Sequence, residues 1–502
     1  MRWGIGFAAL AVVLGLVVPG SAAAFGPLSS FGAYGAGPGE FEPEGGIAIG
    51  ASSDTYVADY GNGRVDQFAP DGSFVRSFGE LSEPEGIAVA ENGDVYVADQ
   101  GVDRIFVFTA EGALLDEFGG EGEGAGEMTD PSGLAFDPAS GDLFVADREN
   151  NRIDVFTAEG EFVRAFGREV AVIGGGDVCD EATECRAATH GGEAGGIYRP
   201  YGLALPPGGG NVYVADYYHE RIDVFTPEGE FLFAFGDEVK FGGGGDYCDV
   251  ETGCKTGGED ESAGSVSAPL WTTFDAAGDL HIGSAANRRI DVFTAAGAFV
   301  HAYGQGVVDG EAEFQICVVT CRAGSVDPTP GSGSIARPEG LATDCGGSVA
   351  VLEVEHDPPE AERFARIERF GEADAPAPPC EEAEIAVVHP IRRPPPPSPL
   401  VLPPNRFKFG RVKLNRRRGT GVLFVKVPGP GRLLLRGGGV RWVRRHAGRG
   451  GIVRMPVVPI DRAKRHLRRH HRVKLRIKVT FTPTGGRPFT KSKKIHLKRH
   501  HG

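Results

Sequence analysis

The chain has 502 residues, room for two or three domains, with 77 glycines, 35 prolines and a formal net charge of −16. The average charge misleads. From Ile391 onward lie 32 of the 52 Lys+Arg but only one of the 68 acids, Asp461, so an acidic body of −47 carries a basic tail of +31. Beyond the first two dozen residues no stretch is apolar enough to span a bilayer, which excludes an integral helical membrane protein.

Residues 1–24 read as a secretory signal peptide: Arg2 gives a basic start, Ile5 to Val18 an apolar core, and Ser21-Ala-Ala-Ala24 a small-residue cleavage site, with the cut expected after Ala24. The mature chain is therefore expected to be secreted or associated with the cell surface. From there to about residue 371 one line recurs, most cleanly as PSGLAFDPASGDLFVADRENNRIDVFTAEGEFVRAFG, Pro131 to Gly167. Each copy divides into four short apolar runs separated by Gly, Pro, Asn or Asp, the signature of consecutive antiparallel strands. The third runs begin at Arg64, Arg104, Arg152, Arg221, Arg289 and Arg366, whereas the fourth runs end at only five places, Gly79, Gly119, Gly167, Gly236 and Gly304. The missing fourth strand stands at the start of the mature chain, Leu28–Gly32. A circular offset of that kind predicts a closed ring of six blades, an all-β propeller that leaves no sheet edge unpaired.

The line Pro-x-Gly-Ile-Ala-Val, then Val-Tyr-Val-Ala-Asp-x-x-Asn-x-Arg-Ile-x-Val-Phe, then Gly-x-Phe-x-x-x-Phe-Gly resembles the NHL repeat over residues 25–371, closely in blades one to four and less so in five and six. The resemblance implies a six-bladed propeller of the kind found in secreted bacterial proteins and in larger eukaryotic regulators. It implies function poorly, because one architecture hosts many jobs.

Asp59, Asp99, Asp147 and Asp216 each precede an arginine by five residues, Arg64, Arg104, Arg152 and Arg221, across the turn between second and third strands. A short acid at a turn accepts amide hydrogens and pairs with a nearby guanidinium, so these pairs read as structural turns rather than as a binding circle. Repeat starts are 41 and 47 residues apart from Pro43 through Pro84 to Pro131, then 69 apart to Pro200, Pro269 and Pro338. The added length forms three Gly-rich insertions, 168–199, 237–268 and 305–337, each with a close cysteine pair: Cys179 with Cys185, Cys248 with Cys254, Cys317 with Cys321. Cys345 and Cys380 are left to join each other. Eight cysteines in an exported chain read as four disulfides. The insertions leave the ring on the face of the second-to-third-strand turns and are expected to crowd one half of one rim. A protein or glycan ligand is expected there, with His190, Tyr217, His219, Tyr247 and His356 as rim candidates. The acids of the first two insertions could suit calcium, but no EF-hand pattern accompanies them, and no cofactor is expected.

Propellers related to the NHL type include lactonases and lyases with a metal in the central channel. No histidine falls on a first strand here and no nucleophile motif stands out, so the reading is non-enzymatic. The alternative is a lactonase- or lyase-like enzyme with a metal in the channel or rim. Residues 372–404 form a Pro-rich linker with Pro394–Pro397. From 405 to 502 alternation returns, as in Val473, Leu475, Ile477, Val479 and Phe481 against Lys474, Arg476 and Lys478, and predicts a small β-sandwich with its charge on the solvent face. A module of +31 needs an anionic partner. An anionic cell-envelope polymer is preferred to the acidic propeller, and nucleic acid is the least favoured in an exported chain with few aromatic stacking platforms.

Overall fold

The computed structural model describes residues 25–372 and 406–499, apart from interior positions at 43, 243–244, 330, 345, 356–362, 418, 438–439, 442, 448 and 484–488. The expected signal peptide and linker, and the cysteines of the expected Cys345–Cys380 pair, lie outside the described residues. The chain divides into two compact units, Met1–Glu384 and Ile385–Gly502.

The first unit is a six-bladed β-propeller closed by its amino-terminal strand. Phe25–Phe31 runs antiparallel to Phe364–Glu372, which continues through Val349–Glu355 to Pro338–Thr343, so blade six takes its outermost strand from the start of the chain. Within that seam Phe25 packs edge-on against Tyr303 and Phe31 lies against Phe68, which ties blade six to blades five and one. The other blades are consecutive meanders, four-stranded in blades one and two and five-stranded in blades three to five. Their second and third strands are buried on both faces because neighbouring blades cover each side, as in Val95–Asp99 and Arg221–Phe225.

The first strand of each blade lines the axis, and these six strands touch in a closed circuit. The Gly of Pro-x-Gly is what lets them approach so closely. A methyl group on Gly86 would fall 1.9 Å from the Ser132 carbonyl oxygen, and one on Gly202 would fall 2.7 Å from the Trp271 Cα. Blade five breaks this rule by placing Trp271 where the others have glycine.

The insertions are more ordered than their Gly-rich sequences suggest. Each adds a fifth, outermost strand to its blade: Val178–Cys179 on blade three, Tyr247–Cys248 on blade four and Phe314–Cys317 on blade five. Disulfides Cys179–Cys185, Cys248–Cys254 and Cys317–Cys321 close the hairpins. From there the chain returns beside the turns between second and third strands, where Ala188, Gly257 and Gly324 donate to the carbonyls of Asn150, His219 and Asn287.

The second unit packs a three-stranded sheet (Lys408–Asn415, Thr420–Val427, Gly451–Val457) against a four-stranded one ordered Val443–Ala447, Gly431–Arg436, Arg472–Pro483, Phe489–Lys498. Its core includes Phe407, Leu423, Leu435, Met455, Ile477 and Phe481. A helix, Asp461–His470, adds Leu467 to that core. The alternation pattern gave no hint of it, since Ala463 and Leu467 are its only apolar residues.

Candidate functional site

The turn acids come first, because they fix the face on which a ligand could bind. Asp59 accepts hydrogen bonds from the Glu42 amide and Asn62, and Asp147 from the Thr129 amide and Asn150. Arg64 and Arg152 lie 3.0 Å from these carboxylates, and Arg221 lies 3.5 Å from Asp216. A second acid two residues after each arginine completes a fork: Asp66, Asp154 and Asp223. The guanidinium then donates to carbonyls of the flanking connections. Arg152, fully buried, binds Glu123, Gly124, Glu127 and Arg186, and so clamps the incoming chain and the returning insertion together. Burial, followed by repulsion from Asp154, pushes the Asp147 carboxyl well above its ordinary range against the pull of Arg152.

Arg104 departs from the expected pairing with Asp99. It turns outward to Glu117, at 2.6 Å, while Asp99 is taken by the amides of Ser82, Glu83 and Gly101. Phe106 stands where the other forks have their second acid, and the connection entering blade two is too short to offer Arg104 a set of carbonyls.

The rim candidates separate. His219 is buried, and its Nδ1 lies 2.7 Å from Asp216, in the place that Asn62 and Asn150 hold in their own turns. Burial lowers its pKa to about 4. It is a neutral turn element, not a ligand contact, which corrects the expectation from sequence. Tyr247 lies on a fifth strand, stacked on Phe233 at 5.2 Å and apart from the others. His356 is outside the described residues. His190 and Tyr217, by contrast, belong to one aromatic run. His190 stacks on Tyr198 at 4.5 Å, Tyr198 meets Tyr218 at 4.8 Å, Tyr218 meets Tyr217 at 4.9 Å, and Tyr217 meets Tyr201 at 5.0 Å.

That run leads from the insertion of blade three to the mouth of the axis. The mouth is built by the second residue of each Pro-x-Gly start: Glu44, Glu85, Ser132, Tyr201 and Glu339, with Leu270 in blade five. Arg148 enters from the turn of blade three. It binds Glu85 at 2.8 Å and Asp130 at 2.8 Å and lies 4.7 Å over the Tyr201 ring. Arg337 faces Glu339 at 2.6 Å. The Trp271 indole reaches from blade five to Gly46 of blade one, not its neighbour in the ring, so that a methyl group on Gly46 would fall 2.8 Å from it. The indole thus floors the mouth. Glu85 Oε2 and Trp271 Nε1 are buried here without a hydrogen-bond partner among the described residues. Burial outweighs the neighbouring arginines and raises Glu85 to about 8 and Glu339 to about 7. Sequence reading passed over the acids and Tyr201 here, although the variable position after the recurrent Pro was a usable signal.

Among the described residues no group of three or more His, Cys, Asp or Glu side chains is placed to hold a metal ion. The insertion acids are occupied locally. Asp180 accepts from the amides of Ala182 and Thr183, and Asp249 from those of Glu251 and Thr252.

Six meanders, closed by the chain's own first strand around a channel, define the class as a six-bladed β-propeller. Residues 81–108 and 128–156 match the NHL repeat, and the propeller is of the NHL-repeat type. No curated protein matches the chain. Solved structures similar to it include virginiamycin B lyase from Staphylococcus aureus, at 13% identity over 65% of this chain and 93% of that one, with a TM-score of 0.35. A gluconolactonase from Xanthomonas campestris aligns at 14% identity over 69% and 87%, with a TM-score of 0.39. A chain of a nidogen/laminin complex aligns at 15% identity over 51% and 78%, with a TM-score of 0.35. None of these activities is carried over.

Proposed function

We propose that the chain is an exported, non-enzymatic recognition protein that binds a glycan at the mouth of its propeller. In this reading the basic carboxy-terminal module holds it at the cell surface by binding an anionic envelope polymer. The observation that supports recognition is the mouth itself: an unpartnered buried carboxyl oxygen, Glu85 Oε2, and an unpartnered buried donor, Trp271 Nε1, beside the exposed edge of an aromatic run. Planar polar groups next to tyrosine faces suit a sugar ring, whose hydroxyls use both donors and acceptors while its C–H face packs on an aromatic. Three disulfides and the lack, among the described residues, of any helix long and apolar enough to cross a membrane fit an exported chain. The non-enzymatic part rests on the chemistry of the channel, where Glu85 and Glu339 are each paired with an arginine and no histidine stands on a first strand.

The test is a glycan and peptide array probed with the mature chain and with Tyr201→Ala. Saturable glycan binding that falls at least about tenfold in the variant is expected, as for loss of a central aromatic contact. Binding to peptides alone would replace the glycan with a protein ligand. A stoichiometric transition metal in the purified chain would favour the enzyme reading instead.

A further inference from the structure

The carboxy-terminal module carries its charge in a pattern that composition does not convey. In the strand pair Arg472–Pro483 and Phe489–Lys498, residues directly opposite one another are Arg472 and Lys498, Lys474 and His496, Arg476 and Lys494, and Lys478 and Ser492. All eight are exposed, whereas Val473, Leu475, Ile477 and Leu497 between them are buried. Two rungs, Arg472 with Lys498 and Arg476 with Lys494, therefore set cation against cation across neighbouring strands, an arrangement that destabilises a sheet unless something anionic lies on it, and the rungs between and beyond them add Lys474 and Lys478. None of these side chains makes a hydrogen bond or ion pair among the described residues, and from Ile391 on the chain offers a single carboxylate, Asp461. The two rows stand about 5 Å apart and successive rungs about 7 Å apart, which gives a straight track on the order of 20 Å long.

We propose that this outer face is a docking track for a linear polyol-phosphate chain, one phosphodiester per rung. The inference rests on the envelope-binding reading and gives it a site and a ligand chemistry. A phosphodiester between two opposed cations places its one negative charge against both and relieves their repulsion, and a repeat about as long as two extended residues brings the next phosphate to the next rung. The same face continues as Thr480, Thr490 and Ser492 and carries no Phe, Tyr or Trp on these two strands. Without the Phe, Tyr or Trp platforms on which successive bases stack, this track differs from a single-stranded nucleic-acid platform.

The experiment uses the full mature chain and polyglycerol phosphate as the probe, with polygalacturonate, single-stranded RNA and duplex DNA as comparison arms. Six facing cations predict that log affinity falls with log salt with a slope of about −4, and Arg476→Gln/Lys494→Gln should flatten that slope by about 1.4. The double variant should weaken polyglycerol phosphate binding about tenfold at low salt, while Arg416→Gln/Arg417→Gln, which removes the same charge from exposed turn positions, leaves it nearly unchanged. Unfolding of the double variant checks that it folds, and relief of cation repulsion should leave its melting temperature unchanged or raised. Equal losses in both double variants would reduce the track to net charge and overturn the proposal. Tighter binding of RNA or DNA than of polyglycerol phosphate would overturn it too. Isolated envelope bound equally by the wild type and the track variant would leave the anchoring reading standing and remove the track. Polyglycerol phosphate bound through the track without retention on envelope would do the reverse.

Discussion

Replacing Arg152 with Met keeps most of the stem volume and removes the fork. The wild-type guanidinium faces Asp147 and Asp154 at 3.0 and 3.1 Å and donates to four backbone carbonyls in two different connections, with no exposure to water. Deleting one partner of a buried pair costs about 3–5 kcal/mol, because the remaining charge is left without compensation. The two acids can limit that loss by taking up protons. Both are already raised by burial, and without Arg152 they should rise further. In the variant the folded state then holds protons that the unfolded state has released, so stability falls as pH rises. The deficit should be larger at pH 8 than at pH 5. Arg64→Met in blade one is the internal comparison. Its side chain is 20% exposed, so water can replace part of what is lost and about 1–2 kcal/mol is expected. Urea unfolding read through the near-ultraviolet signal of Trp271, with Trp442→Phe in every chain compared, separates the propeller from the second unit. Equal midpoints for Arg152→Met and Arg64→Met, or a deficit that shrinks as pH rises, would refute the reasoning.

Glu85 sits at about 8 in the folded chain against an ordinary value near 4.5. A carboxyl raised in the folded state makes stability fall as pH rises from about 5 to about 8, and Glu85→Gln should flatten that part of the profile by up to about 1.4 kcal/mol per pH unit. Reducing the Cys179–Cys185 bridge opens a loop with a separation of only 6 residues, so its global cost should stay near or below about 2 kcal/mol. The fifth strand Val178–Cys179 should lose amide protection at the same time, as hydrogen exchange would record; an unaffected strand would mean that pairing, not the bond, holds the hairpin. Deleting residues 25–31 removes the strand that closes blade six together with the Phe25 and Phe31 contacts, and should lower the melting temperature of the whole ring and promote association through the exposed edge of Phe364–Glu372. A truncated chain melting at the wild-type temperature would contradict closure.

The ring was legible because its information is repeated. Six third strands against five local fourth strands pointed to Leu28–Gly32, which overlaps the closing strand Phe25–Phe31, and close cysteine spacing pointed to three of the disulfides. What escaped reading was information that occurs once or is set by neighbours. The fifth strands pair through two to four residues in Gly-rich sequence, too short for any period to register. Arg104 follows the repeat in sequence yet lacks the acid two residues on, so its partner changed to Glu117. His219 looked like a rim histidine because the eye weighs residue type; its position in the turn, where other blades place asparagine, decided its role. The mouth residues come from six distant copies of one motif, and only the closed circuit brings Glu85, Arg148, Tyr201 and Trp271 together.

Trp271 also provides the most direct test of ligand recognition. The chain has three tryptophans, at positions 3, 271 and 442, so a mature chain carrying Trp442→Phe reports from the mouth alone. Titrating it with the glycan selected on the array should change the indole emission saturably, and Glu85→Gln or Tyr201→Ala should abolish that change. Emission that stays constant while the glycan binds elsewhere on the chain would place recognition away from the mouth.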